Sequence, residues 1–169
     1  FLDTDAPVKG GNRFQLNKDG SHIYAQWWSH ENEKNLYFTS TLDSGKSFAP
    51  VSIVNDNHGI LSPHSFLRGE DGTIGMTYHD ERLPRFQAYS NRSKDHGLTW
   101  SRPDTRLDVP PAGGESSTVQ NPVGIELDKT WFVAWVDSVT LLGKTRNRIL
   151  TTRSIDTGLH WTTPEVIFE

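Results

Sequence analysis

The sequence predicts an all-β chain built from three copies of one four-stranded antiparallel unit. Three observations carry that prediction: an eight-residue pattern that recurs three times, aromatic-rich segments at matching offsets before it, and the lack of helical spacing. The pattern is a small hydroxyl residue, any residue, Asp, any residue, Gly, two residues and an aromatic. It reads TLDSGKSF (41–48), SKDHGLTW (93–100) and SIDTGLHW (154–161). Its aspartates, Asp43, Asp95 and Asp156, stand 52 and 61 residues apart, a period that marks a repeat architecture. No segment keeps apolar residues at i, i+3, i+4 and i+7 for three turns, and the apolar runs are bounded by turn residues about ten apart.

Each unit aligns around that anchor. A short strand A leads to a turn at Asp19-Gly20, Asp71-Gly72 and Asp128-Lys129. An aromatic-rich strand B follows at His22 to Trp28, Thr73 to His79 and Trp131 to Val136. Strand C runs over Asn35 to Ser40, Phe86 to Arg92 and Arg148 to Arg153. After the pattern, strand D starts at Ala49, Ser101 and Thr162. Pro50, Pro103 and Pro164 suit strand starts, where a missing N–H costs least. The units span about 12–55, 64–109 and 121–169 and form a single domain.

The repeated pattern has a physical role without any chemistry. A tight C–D turn has backbone N–H groups that need acceptors, and Asp43, Asp95 and Asp156 are expected to accept from the backbone a residue or two onward. Gly45, Gly97 and Gly158 supply a positive φ that a Cβ would resist. Phe48, Trp100 and Trp161 are expected to tuck between neighbouring sheets. A metal at each Asp would need several clustered oxygen ligands, which the pattern does not supply.

Composition excludes several function classes. The net charge is -4, and Lys and Arg are scattered singly, so nothing resembles a footprint for nucleic acid or an anionic membrane. The longest clean apolar run, Trp131 to Val136, falls far short of the roughly 20 residues of a membrane span. The absence of cysteine removes disulfides, thiolate zinc sites and cysteine nucleophiles. No cofactor is called for. A start at Phe1 reads as that of a processed or excised piece.

With their lead-ins NLYFTSTLDSGKSF, FQAYSNRSKDHGLTW and RILTTRSIDTGLHW, the three patterns resemble the BNR/Asp-box repeats of the sialidase superfamily, from about Asn12 to Glu169. The resemblance implies β-propeller blades, six in most sialidases, with the boxes on the rim away from the active face. It also implies an extracellular or periplasmic location. Family sialidases clamp a sugar carboxylate with three arginines, the first in an Arg-Ile-Pro sequence, and use a Tyr–Glu nucleophile pair with an Asp acid. The nearest stretch here, Asn12-Arg13-Phe14, lacks Ile-Pro. No catalytic residue is therefore carried over, and this chain alone is not expected to be a working sialidase.

In a propeller the B–C and D–A loops share the face opposite the C–D turns. That face is expected to gather Ser29-His30-Glu31, the run from His79 to Arg85, and Asp137 to Asn147, with D–A loops at Asn55 to His64 and Asp108 to Asn121. The densest cluster is His79, Asp80, Glu81, Arg82 and Arg85, with His30 and Asp137 at the strand-B exits of the other units. Imidazole and carboxylate suit acid–base work, and arginines bind anionic groups bidentately. The plainer reading is that these are solvated loop charges pairing with each other. His58 and His64 would ligate a metal only with partners the sequence does not reveal, and the PPAGGESS stretch reads as a flexible loop.

Closed propellers have about four to eight blades, and a repeat unit cannot bury its faces without neighbours. Three blades thus call for a partner, either a second copy in a head-to-tail homodimer or a complementary half. The second copy is favoured, with residues 1–12 as a linker across the seam. The resulting functional expectation is a glycan-directed module, carbohydrate-binding or glycoside hydrolase-like. The alternative is a non-catalytic propeller for protein interaction or assembly.

Overall fold

The computed structural model describes residues 14–28, 34–56, 59–81, 85–109, 117–141 and 144–169. Among them every regular element is a strand, and the strands form three four-stranded antiparallel sheets in sequence order. Sheet 1 holds β1 (Phe14–Asp19), β2 (His22–Trp28), β3 (Leu36–Thr41) and β4 (Ser52–Ile53). Sheet 2 holds β5 (Ile60–Arg68), β6 (Ile74–Asp80), β7 (Gln87–Ser93) and β8 (Thr105–Arg106). Sheet 3 holds β9 (Ser117–Leu127), β10 (Thr130–Leu141), β11 (Lys144–Ser154) and β12 (Glu165–Phe168).

Register makes the sheets comparable residue by residue. Ile23 pairs with Thr41, Ile74 with Ser93 and Trp131 with Ser154, each partner being the hydroxyl that opens the repeated pattern. Because side chains alternate along a strand, each sheet has two faces, here called front and rear. Ile74, Met76 and Tyr78 of β6 point to the front; Trp131, Val133 and Trp135 of β10 do the same in sheet 3. The rear face of sheet 1 (Tyr24, Trp28, Leu36, Phe38) packs with the front of sheet 2 in one buried cluster. In the second cluster Leu67 and Ala88 of sheet 2 meet Val119, Trp131, Val133 and Trp135 of sheet 3. Each such side chain taken from water stabilises the fold by about 1.5–3 kcal/mol.

The C–D turns are held as the sequence implies, with one revision. The aspartate reaches four residues onward rather than one or two. Ser47 N donates to Asp43 Oδ1 at 3.0 Å and the Ser47 hydroxyl to Oδ2 at 2.7 Å. Thr99 repeats both bonds on Asp95, at 2.9 and 2.6 Å. On Asp156 the amide of His160 binds at 2.9 Å and its ring nitrogen Nδ1 lies 2.6 Å from Oδ2. The opening hydroxyl donates to the same aspartate and accepts from the glycine N–H, at 3.0, 2.8 and 2.8 Å for Gly45, Gly97 and Gly158. These glycines have φ of 87°, 87° and 81°, where a Cβ is disfavoured.

The closing aromatics differ from one turn to the next. Trp100 is buried, donates from Nε1 to Ser52 Oγ at 3.0 Å and meets Phe38 edge-on at 5.2 Å. Trp161 packs against the second cluster. Phe48 is 42 % exposed, because sheet 1 has no preceding sheet among the described residues for it to tuck against.

Candidate functional site at the strand-exit face

Strand B enters beside the C–D turns and leaves at the opposite end of each sheet. Asp80 and Asp137 both lie six residues after the register-equivalent pair Ile74 and Trp131. They therefore stand at the same height in adjacent sheets, about 20 Å from the turns. His30 lies outside the described residues, as do Arg82 and His58.

Asp80 and Asp137 were expected in loops; they are buried strand residues instead, at 0 % and 2 % exposure. The segment from Asp137 to Asn147 is also not a loop. Pairing continues to Leu141↔Lys144, so β10 and β11 form a hairpin longer than those of the other sheets. Inside it the guanidinium of Arg148 donates from Nε to Asp137 Oδ2 at 2.8 Å, with both side chains largely buried.

The remaining members of the sequence cluster go separate ways. His79 is buried on the other side of β6, its ring stacked on Phe86 at 5.4 Å. Glu81 is ion-paired with Lys34 of sheet 1, so this pair ties two sheets together at the exit. Arg85 is exposed. Glu81 and Asp137 are thus ion-paired, but with Lys34 and Arg148 rather than with other members of the sequence cluster, and Asp137 is buried rather than solvated.

Sequence reasoning missed the residues that hold strand C in place at this face. Arg106 grips Asp108 with two bonds, Nε to Oδ1 at 3.0 Å and Nη2 to Oδ2 at 3.2 Å. Asp108 Oδ1 also accepts from Ala88 N at 3.1 Å. Burial pushes the Asp108 carboxyl up, against the opposing pull of the Arg106 guanidinium and the Ala88 amide. In sheet 1 Asn55 takes the same role, accepting from Leu36 N and donating to Asn35 Oδ1, each at 2.9 Å. The signal for both was available, since Asn55 and Asp108 each stand two residues past strand D.

No group of three or more His, Cys, Asp or Glu among the described residues could hold a metal ion. A groove of about 350 Å³ lies at the opposite end, between the C–D turns of sheets 1 and 2, lined by Leu42, Phe48 and Leu98 beside Asp43, Asp95 and His96. Among the described residues no helix is long and apolar enough to cross a membrane.

No protein-family model and no curated protein sequence matches the chain. Solved structures do. A Penicillium chrysogenum alpha-L-arabinanase complexed with arabinobiose superposes with a TM-score of 0.63 and 15% identity, over 94% of this chain and 49% of that one. The Hadza microbial sialidase Hz136 gives 0.61 and 15% over 89% of this chain and 36% of its own. The alpha-L-arabinofuranosidase Arb93A of Fusarium graminearum gives 0.61 and 16%, covering 93% and 47%. The chain spans between about a third and a half of the length of these structures. The fold is that of a β-propeller, present here as three of its blades, a partial propeller that fits a complementary part.

Proposed function

We propose that this chain is a carbohydrate-directed propeller unit that binds glycan at the strand-exit face. The observation that carries the reading is the placement of Asp80 and Asp137 at one height in adjacent blades. Both carboxylates are buried and fix the ends of their strands, so the groups that would meet saccharide hydroxyls are the exposed Glu81 and Arg85 beside them. Arg148 sets the orientation of Asp137, and the Lys34–Glu81 pair marks the edge of the same face. The structural neighbours include a sialidase, an arabinanase and an arabinofuranosidase, which supports a sugar as the ligand class. An extracellular or periplasmic location belongs to the same proposal.

The alternative, a non-catalytic interaction or assembly module, is separated by one experiment. A glycan array that includes arabino-oligosaccharides and sialylated glycans is probed with the chain and with Arg85→Ala. The proposal expects binding to at least one glycan and a loss of tenfold or more in the variant, with unchanged circular dichroism. Silence across the array would remove the carbohydrate reading and leave the assembly module.

A further inference from the structure

The sequence contains two Asp-Gly dipeptides, Asp19-Gly20 and Asp71-Gly72. Both sit in turns between strands A and B, yet the two turns hold them differently. Asp-Gly pairs undergo one reaction without a catalyst: the glycine amide nitrogen attacks the aspartate carboxyl carbon, unobstructed by any glycine side chain.

In blade 2 both reacting groups are engaged. The Gly72 amide donates to Gly69 O at 3.1 Å. Thr73 donates from its amide to Asp71 Oδ1 and from its hydroxyl to Oδ2, each at 2.9 Å. Burial raises the Asp71 carboxyl, but the bonds from Thr73 outweigh it and leave it lowered, which keeps the carboxylate ionised and unreactive. Blade 1 lacks these restraints. Asp19 ends β1, and Gly20 opens a two-residue turn with φ of 56°. Among the described residues the Gly20 amide meets no acceptor, and a Cβ on Gly20 would meet nothing within 4 Å. Two residues after Asp19, where blade 2 has Thr73, stands Ser21, whose hydroxyl turns to Leu42 O at 3.4 Å instead. The ion-pair partner of Asp19 is Arg68 of blade 2 at 2.7 Å, with side chains 41 % and 37 % exposed. A pair so exposed opens readily.

We propose that Asp19 is a site of spontaneous isomerisation to isoaspartate, and that Thr73 protects Asp71 from the same reaction. A bond forms between Gly20 N and Asp19 Cγ; the carboxyl hydroxyl and the amide proton leave together as water. Water then reopens the resulting succinimide ring. Cleavage between Cγ and nitrogen restores aspartate, whereas cleavage at the main-chain carbonyl leaves the chain running through Cγ. No electron is transferred, and the water lost is regained. The product keeps its charge but adds a methylene to the backbone between β1 and β2 and moves the carboxylate onto Cα. Arg68 then loses the partner with which it ties blade 2 to blade 1. This turn lies at the end opposite the strand-exit face, so the proposal stands apart from the carbohydrate reading.

The test stores the folded chain for several weeks at mildly acidic pH, digests it and measures isoaspartate at each dipeptide by electron-transfer fragmentation. A second sample is stored in urea. In the folded chain isoaspartate is expected at residue 19 in about tenfold excess over residue 71, the factor that opening the bonds of the Thr73 turn implies. In urea that excess should vanish. Thr73→Val should raise the yield at residue 71 several-fold, while Thr73→Ser, which keeps the hydroxyl, should not. Failure to find isoaspartate at residue 19 of the folded chain, or equal yields at the two positions, would overturn the proposal. So would a Thr73→Val chain of unchanged circular dichroism in which residue 71 stays protected.

Discussion

Gly75 of β6 lies under the indole of Trp131 of β10, and the ring occupies the volume that a Cβ on Gly75 would need. The same ring closes on Gly158 from the other side, with Cζ3 2.8 Å from where a Cβ would stand. One tryptophan thus joins the centre of blade 2, its own strand and the turn that pins blade 3. Gly75→Ala should destabilise the chain by about 1–3 kcal/mol through overpacking. In urea unfolding, Gly75→Ala combined with Trp131→Leu should cost clearly less than the sum of the two changes. Simple additivity would show that the glycine and the ring do not share that space.

Gly45 and Gly97 separate backbone strain from packing. Both have φ of 87°. A Cβ on Gly45 meets only Ile23 Cδ1 at 3.9 Å, whereas on Gly97 it runs into the ring of Phe38 in the preceding blade. Gly45→Ala is expected to cost about 1–2 kcal/mol, the left-handed penalty alone. Gly97→Ala should cost a further amount of about 1–3 kcal/mol. Equal losses would mean that the inter-blade contact at Gly97 relaxes freely.

The three turn aspartates predict loss of stability in acid. The hydroxyl and amide of Ser47 and the hydroxyl of Thr41 hold Asp43 well below the usual carboxylate range. For Asp95 burial works the other way, yet the Thr99 hydroxyl and amide and the Ser93 hydroxyl outweigh it and lower the carboxyl. Against the same opposing burial, the amide and ring of His160 and the Ser154 hydroxyl lower Asp156 to about 2. A depressed folded-state value stabilises above the unfolded value of about 3.9 and fades as pH falls through the folded one. Thermal unfolding should therefore show Tm level near neutrality and falling from about pH 4 toward pH 2. In Asp95→Asn that slope should flatten, and an unaltered acid profile would count against these turns as its source.

Asp137 and Arg148 form the ion pair at the root of the long hairpin. Removing one partner leaves the other buried without its counter-charge, so Arg148→Leu should cost about 3 kcal/mol. The double change Asp137→Leu with Arg148→Leu should recover most of that loss, read by denaturant midpoints. A double variant as unstable as the single one would locate the effect in the packing of the Arg148 stem.

Much of the fold was legible because its determinants are local. A hydroxyl two residues before an aspartate, and a glycine two after it, close the C–D turn within five residues, so Asp43, Asp95 and Asp156 announce three sheets. The exit face was legible only in part. His79, Asp80 and Glu81 are consecutive in sequence, but strand alternation sends them to different surroundings, with Glu81 meeting Lys34 across two blades. Arg148 was missed because its partner sits across a strand pair, where spacing along the chain carries no signal.

The sequence by itself determined that there are three blades, where each turn falls and which glycine each turn needs, since these follow from φ, alternation and short-range hydrogen bonds. Only the tertiary structure decided that Asp80 and Asp137 are buried at one height and that Trp131 fills the space over Gly75. Those relationships depend on which sheet face meets which, and the packing of whole sheets is a long-range property that no local pattern encodes.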